Sequence, residues 1–264
     1  FRVKNMLHAF PLTFTKLFFK SFKFHCGNTL VCSLGSLIYY YVVLLLLCLL
    51  TGSSESGIVG GRVAKPHSRP YMASLQVDEH HRCGGILIRE DFVLTAAHCK
   101  LSDHMTVVLG AHDISKREKS QQRIQVKKIL TSVISGCLVS LLQLKHSATL
   151  NKYVNVIRLP KRDDEILANI NCEVAGWGYT EPDGCPSSVL KETKEKMQFP
   201  FECKKIWYFC CLFQGDSGGP LMCKSKLQGI TAFTLKSDCN NPKYPHVFTK
   251  IQFFLPWIEK RITG

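Results

Sequence analysis

Gly215-Asp216-Ser217-Gly218-Gly219-Pro220 is the stretch on which the reading turns. A serine hydroxyl is a weak nucleophile until a neighbouring base takes its proton. A second stretch, Leu94-Thr95-Ala96-Ala97-His98-Cys99, supplies that base. The glycines leave the backbone uncrowded, so the amide hydrogens of Gly215 and Ser217 can aim at one point. Two donors there stabilise the oxyanion of an acyl-transfer transition state, and losing one costs about 3–4 kcal/mol. A lone G-x-S-x-G is a weak signal, because any glycine-rich turn can supply it. Six consecutive residues, joined to Thr-Ala-Ala-His-Cys, point to acyl transfer with Ser217 as nucleophile and His98 as base.

A third motif, Ile58-Val59-Gly60-Gly61, lies well inside the chain, just after an apolar segment. On these three motifs, residues 58–264 resemble the trypsin-like (chymotrypsin-fold) serine peptidases. Within that family they look most like the granzymes and mast-cell proteases. The stretches that carry this are Lys65-Pro66-His67-Ser68-Arg69-Pro70-Tyr71-Met72, Leu109-Gly110-Ala111-His112-Asp113-Ile114 and Val174-Ala175-Gly176-Trp177-Gly178.

The resemblance implies an all-β fold: two antiparallel Greek-key β-barrels with a C-terminal helix, the active site in the cleft between them. It implies activation by cleavage before Ile58, whose new ammonium group pairs with Asp216 and orders the oxyanion loop. A buried pair of that kind costs about 3–5 kcal/mol to break. It also implies two disulfides, Cys83–Cys99 and Cys172–Cys223. Cys203, Cys210, Cys211 and Cys239 fall where two further bridges would lie, with their pairing open. Cys137 and Cys185 have no evident partner. Cys210-Cys211 lacks a second ligand pair at zinc spacing, so neither a metal nor a cofactor is expected.

The chain has 264 residues, 13 cysteines and a formal net charge of +14. The length beyond the leader suits one globular unit of two small barrels. Ten cysteines follow Ile58, a usage that suits an oxidising compartment. The charge favours polyanions. No glycine-rich phosphate loop or RNA-type aromatic motif accompanies it, so nucleic acid is not expected. The resemblance points instead to acidic proteoglycan in secretory granules. Leu37 to Leu50 form an apolar core preceded by Lys16, Lys20 and Lys23, the order of a secretory signal. Residues 1–57 therefore read as a leader: a signal peptide and a short propeptide ending in Ser56-Gly57. A membrane is met only through that leader if it stays uncleaved. A secreted or granule-stored monomer acting on proteins or peptides is expected.

Short apolar or alternating runs bounded by turns predict strands at Cys83–Ile88, Phe92–Thr95, Met105–Leu109, Arg123–Ile129, Cys172–Trp177 and Gln228–Phe233. Phe254, Trp257, Ile258 and Ile262 recur at helical spacing, with Pro256 in the first turn. The division expected is a first barrel over about 58–159, a second over about 160–250 and a helix over about 254–264.

Two departures from the family pattern stand out. The family's triad aspartate opens a strand of the form Asp-Ile-x-Leu-Leu-x-Leu. The match here is Leu138-Val139-Ser140-Leu141-Leu142-Gln143-Leu144, with Leu138 at the acid's position, and no Asp or Glu occurs from Gln121 to Lys161. Asp113 is read as a surface-loop residue that does not replace it. The segment from Cys203 to Ser217 is also about half the family's length. It normally builds the specificity pocket, for which Cys211, Ala232, Phe233, Thr234 and His246 are the candidates. Both faults are missing blocks rather than scattered substitutions. A strand shorn of the loop that leads into it is expected to orphan backbone groups, at about 1–3 kcal/mol each. The function expected is a serine endopeptidase working through a Ser217 acyl-enzyme. The alternative is a pseudoprotease, or a truncated gene product.

Overall fold

The computed structural model describes residues 61–100, 102, 104–134, 137–164, 169–178, 186–197, 216–233 and 246–263. The leader, Ile58, Cys185, Cys203, Cys210, Cys211, Gly215, Thr234 and Cys239 lie outside the described residues.

The all-β architecture implied by the resemblance is the one the chain adopts. Six strands close into a barrel: β2 (Met72–Val77), β3 (His80–Arg89), β4 (Phe92–Ala96), β5 (Thr106–Leu109), β6 (Gln122–Ile134) and β7 (Cys137–Leu144). Their order is β2-β3-β4-β7-β6-β5. Inward residues such as Leu75, Ile86, Leu94, Leu109, Ile124 and Leu141 are fully or almost fully buried. Along β6, Ile124 and Val126 alternate with Arg123, Gln125 and Lys127, the period-2 signature of a half-buried strand.

The remaining strands form a six-stranded antiparallel sheet: β1 (Arg62–Val63), β8 (Asn171–Gly176), β9 (Lys191–Lys196), β10 (Pro220–Cys223), β11 (Lys226–Phe233) and β12 (Val247–Lys250). Their order is β1-β9-β8-β10-β11-β12. β1 departs from the expected division, because residues 62–63 pair with Lys191 and Glu192 of the second sheet. An Arg62–Glu192 ion pair at 3.0 Å lies across that pairing. The Cys172–Cys223 bridge ties β8 to β10, as the resemblance implied.

The expectation of orphaned backbone at the first missing block is overturned. β6 and β7 stay paired to their very ends, Val133 opposite Leu138 and Ile134 opposite Cys137. Only two residues connect them, so the ladder continues through the place where the family's loop would interrupt it. The opposite edge of β7 pairs with β4, ending at Val139 opposite Ala96.

A 3-10 turn (Ile251–Phe254) leads into helix α1 (Leu255–Thr263). Pro256 sits in the first turn, where a missing N–H costs nothing. Phe254, Leu255 and Ile258 bury into one cluster with Leu94, Val139 and Ile230. That cluster spans both sheets and fixes the junction on which the site is built. Among the described residues, no helix is long and apolar enough to cross a membrane.

Candidate active site

His98 rides on the 3-10 turn Ala97–Cys99 that follows β4. The Cys83–Cys99 disulfide ties this turn to β3. Ser217 comes from the other sheet, in the turn that precedes β10. Its carbonyl oxygen accepts from the Gly84 amide at 2.8 Å. Cys99 Sγ lies 3.6 Å from the same oxygen. The backbone of the serine therefore rests on β3 and on the residue that follows His98.

The turn is held on every side. Gly218 N donates to Thr231 O at 2.8 Å, Thr231 N to Gly219 O at 2.9 Å, and Gly219 N to Asp216 O at 3.0 Å. Thr95 Oγ1 donates to Gly84 O at 2.9 Å, which gives the threonine before His98 a role its motif did not reveal. Gly218 has φ 86°, and a Cβ there would collide with Thr95 Oγ1 and Gly84 O. No other residue type fits without strain.

Asp216 points away from the serine into a cradle made by the Val174–Gly178 motif. Its Oδ1 accepts from Gly178 N at 2.8 Å. A Cβ on either Gly176 or Gly178 would overlap the carboxylate, so the backbone can close around the acid only with glycine at both positions. Burial pushes the carboxyl up to about 6, against smaller opposing effects of the Gly178 amide and the His246 charge. Among the described residues no cation forms an ion pair with it.

The His98 ring is held less well. His98 Nε2 is buried and has no hydrogen-bond partner among the described residues. Burial holds the imidazole below the ordinary histidine value, with no carboxylate countering it. The β4–β7 register places backbone position 138 one step beyond the Val139–Ala96 pair, on the side of the His98 turn, and leucine stands there. Asp113 does not substitute. The expectation that it is a surface-loop residue is corrected: a bridge to Val189 leaves it 8% exposed. Its carboxylate is taken up by Ser115 N at 3.0 Å, Ser115 Oγ at 2.6 Å and Lys116 Nζ at 2.9 Å.

Two of the pocket candidates are brought near each other. Phe233 at the end of β11 pairs with Val247, which adjoins His246. His246 Nδ1 meets Glu195 Oε1 of β9 at 2.8 Å. Sequence reasoning missed Glu195, which lies in Lys191-Glu192-Thr193-Lys194-Glu195-Lys196, a run without apolar signal. Ligand atoms of Cys83, His98 and Cys99 lie within 4.8 Å of one another. Both sulfurs are joined in the disulfide, which leaves no thiolate to ligate a metal.

A family model described as Trypsin matches residues 58–258. Granzyme B of Rattus norvegicus is 42% identical over 238 residues, taking in 80% of this chain and 94% of the relative. Cathepsin G of Homo sapiens is 37% identical, over 80% of this chain and 89% of the relative. The rat alignment has more positions than the chain contributes residues, so it opens gaps in this chain. Among solved structures, one described as human heparin binding protein aligns with a TM-score of 0.71 at 32% identity, covering 78% of this chain and 97% of that one. Mouse neuropsin, described as a serine protease, aligns with a TM-score of 0.71 at 31% identity, covering 78% of this chain and all of that one.

Proposed function

Because the chain belongs to the trypsin family of serine proteases, we propose that it is a granzyme-like endopeptidase of slow turnover. The observation that carries the reading is the seat of Ser217, whose carbonyl rests on Gly84 N at 2.8 Å beside Cys99 and the His98 turn. In the proposed cycle His98 takes the proton of Ser217 Oγ as that oxygen attacks the scissile carbonyl. The oxyanion settles on the amides of Gly215 and Ser217. His98 then gives the proton to the leaving amine, and water repeats the steps to release the acyl group.

Turnover is slow because, among the described residues, no anion partners the imidazolium formed in each step. In this family, neutralising the triad acid while keeping its shape is known to lower turnover about 10⁴-fold. Burial of His98 adds to the same effect, since it weakens proton affinity. Cleavage before Ile58, after the short propeptide ending in Gly57, would supply the ammonium for Asp216. Ala232, Phe233 and His246, with Cys211 and Thr234, would line the substrate pocket, and the His246–Glu195 pair would sit at its rear.

The basic charge, which is still +10 from Ile58 onward, the granzyme relatives and the neighbour described as heparin binding protein support storage in secretory granules with acidic proteoglycan. A second reading, a pseudoprotease that binds without cutting, is favoured by one observation: no carboxylate partners His98 among the described residues.

A fluorophosphonate probe tests the first reading. Protein cleaved before Ile58 should label slowly at one site, and the label should vanish in Ser217→Ala. Labelling that proceeds equally in Ser217→Ala, or none in the parent, would leave the binding reading in place.

A further inference from the structure

Four charged side chains form a line across the edge of the second sheet. Arg69 donates through Nε to Glu192 Oε2 at 3.0 Å, and its Nη2 lies 2.9 Å from the same oxygen. Nη2 also donates to Glu173 Oε2 at 2.8 Å, and Nη1 to the Tyr71 hydroxyl at 3.2 Å. Glu192 Oε1 accepts from Arg62 Nε at 3.0 Å. The side chains of Arg69 and Glu192 are only 10% and 13% exposed, whereas Arg62 at the end of the line is 79% exposed. The line therefore crosses β1, β9 and β8 with its one sheltered pair inside it.

β1 depends on such a hold. Both of its two residues are exposed, so no buried face sets its register. Ala64 N donates to Leu190 O at 2.9 Å and ties the residue after β1 to the one before β9. Arg69, five residues further on, fastens the chain to β9 and β8 a second time. Its own backbone is fixed from the first barrel: Met72 N donates to Arg69 O at 3.1 Å, and Leu87 N of β3 to Tyr71 O at 2.8 Å. Removing Arg69 would strand Glu192 as a sheltered carboxylate whose one remaining cation is open to water.

The place of β1 decides what a new chain end can reach. Val63 pairs with Lys191, and Lys191 with Gly176, so one row runs from β1 across β9 to β8. Two strand spacings put β1 about 10 Å from Gly176. A Cβ on Gly176 would overlap Asp216 Oδ1, so the carboxylate lies against that residue. The chain from Gly61 back to Ile58 spans at most about 11 Å. An ammonium on Ile58 therefore reaches the acid with little to spare, and a one-residue slip of β1 moves its starting point by about 3.3 Å. Fraying is no better, because each residue left to be ordered at the moment of pairing costs about fivefold or more. We propose that Arg69 is a positioning residue for activation: by holding Glu192 and tying the chain after β1 to β8 and β9, it keeps β1 at the edge from which a freed Ile58 reaches Asp216. The inference rests on the reading that cleavage before Ile58 supplies the ammonium for Asp216.

Acetylation of the Ile58 amine by acetic anhydride tests it, in protein cleaved before that residue. The rate is read by mass spectrometry against an exposed lysine, Lys128. In the parent the amine should react at least about a hundredfold more slowly than in Asp216→Asn, which has no carboxylate to pair with it. Arg69→Met should speed the reaction at least about fivefold over the parent, and the near-isosteric Glu192→Gln should do the same. Arg69→Lys should fall between Arg69→Met and the parent, because an ammonium cannot reproduce the guanidinium fork. Arg62→Gln, at the exposed end, should change the rate by no more than about twofold. A parent amine as reactive as that of Asp216→Asn would strike the Ile58–Asp216 pairing itself, and the role of Arg69 with it. A protected parent whose Arg69→Met and Glu192→Gln variants are equally protected, even while melting earlier, would leave the pairing standing and overturn the role of Arg69 alone.

Discussion

The Ser217 turn and the His98 turn meet at one junction but are built to different standards. Around Ser217, backbone bonds to Gly84, Thr231 and Asp216 leave the chain one path. Around His98, a disulfide holds the backbone, while the ring's buried Nε2 has no hydrogen-bond partner among the described residues. Hydrogen bonds specify direction and burial does not. The Ser217 backbone is thus preorganised, whereas among the described residues no anionic group stands by the His98 ring to fix its tautomer and steady its charge.

Four substitutions, one of them followed across pH, would break or sharpen that contrast. Leu138→Asp should have the largest effect, raising hydrolysis of a small ester or peptide by up to about 10⁴-fold. It should also shift the rising limb of the pH–rate profile upward, because a carboxylate beside His98 favours the imidazolium. An unchanged rate would place the fault in the shortened segment before Ser217. Gly178→Ala attacks the well-built side. Its Cβ would overlap the Asp216 carboxylate and displace the amide that binds it, for a loss of about 4 kcal/mol in denaturant titration. A wild-type midpoint would show the cradle to be dispensable.

Asp216 makes the next largest prediction. Its carboxyl is raised from 3.8 to about 6 in the folded chain, so the folded state holds the proton more tightly than the unfolded one. The protonated acid costs nothing below about pH 4. The penalty grows as pH rises through about 6, reaching about 3 kcal/mol. Before cleavage, Asp216→Asn should match the parent at pH 4 and exceed its stability by about that amount at pH 7. After cleavage the advantage should disappear, if the new ammonium pairs with the acid. Arg62→Gln should do least. Its guanidinium is largely solvent-exposed, and losing the Glu192 contact should cost no more than about 0.5 kcal/mol, readable as a melting shift of a degree or two.

What could be read from the chain itself followed from how local each signal was. The strands at Phe92 and Cys172 and the terminal helix were legible because their apolar residues recur at the period of the element. His98 and Ser217 were legible because their neighbours form short, dense motifs. β9 was not, since Lys191-Glu192-Thr193-Lys194-Glu195-Lys196 has no apolar face. Its register comes from β8, and from β1 more than a hundred residues away. Separations of 38 and 51 residues likewise hid the grip of Gly178 on Asp216 and of Glu195 on His246. The ion pairs from Arg62 to Glu173 were hidden differently: each residue is ordinary alone, and the line exists only once the strands pair.

The two-residue link between Ile134 and Cys137 carries a lesson for protein engineering. Because β6 and β7 hold their alignment right up to this link, its length is free to vary while the ladder stays in register. A longer insert bearing an acid could be grafted at that point, which makes the hairpin tip a natural port for restoring, or redesigning, the chemistry next door.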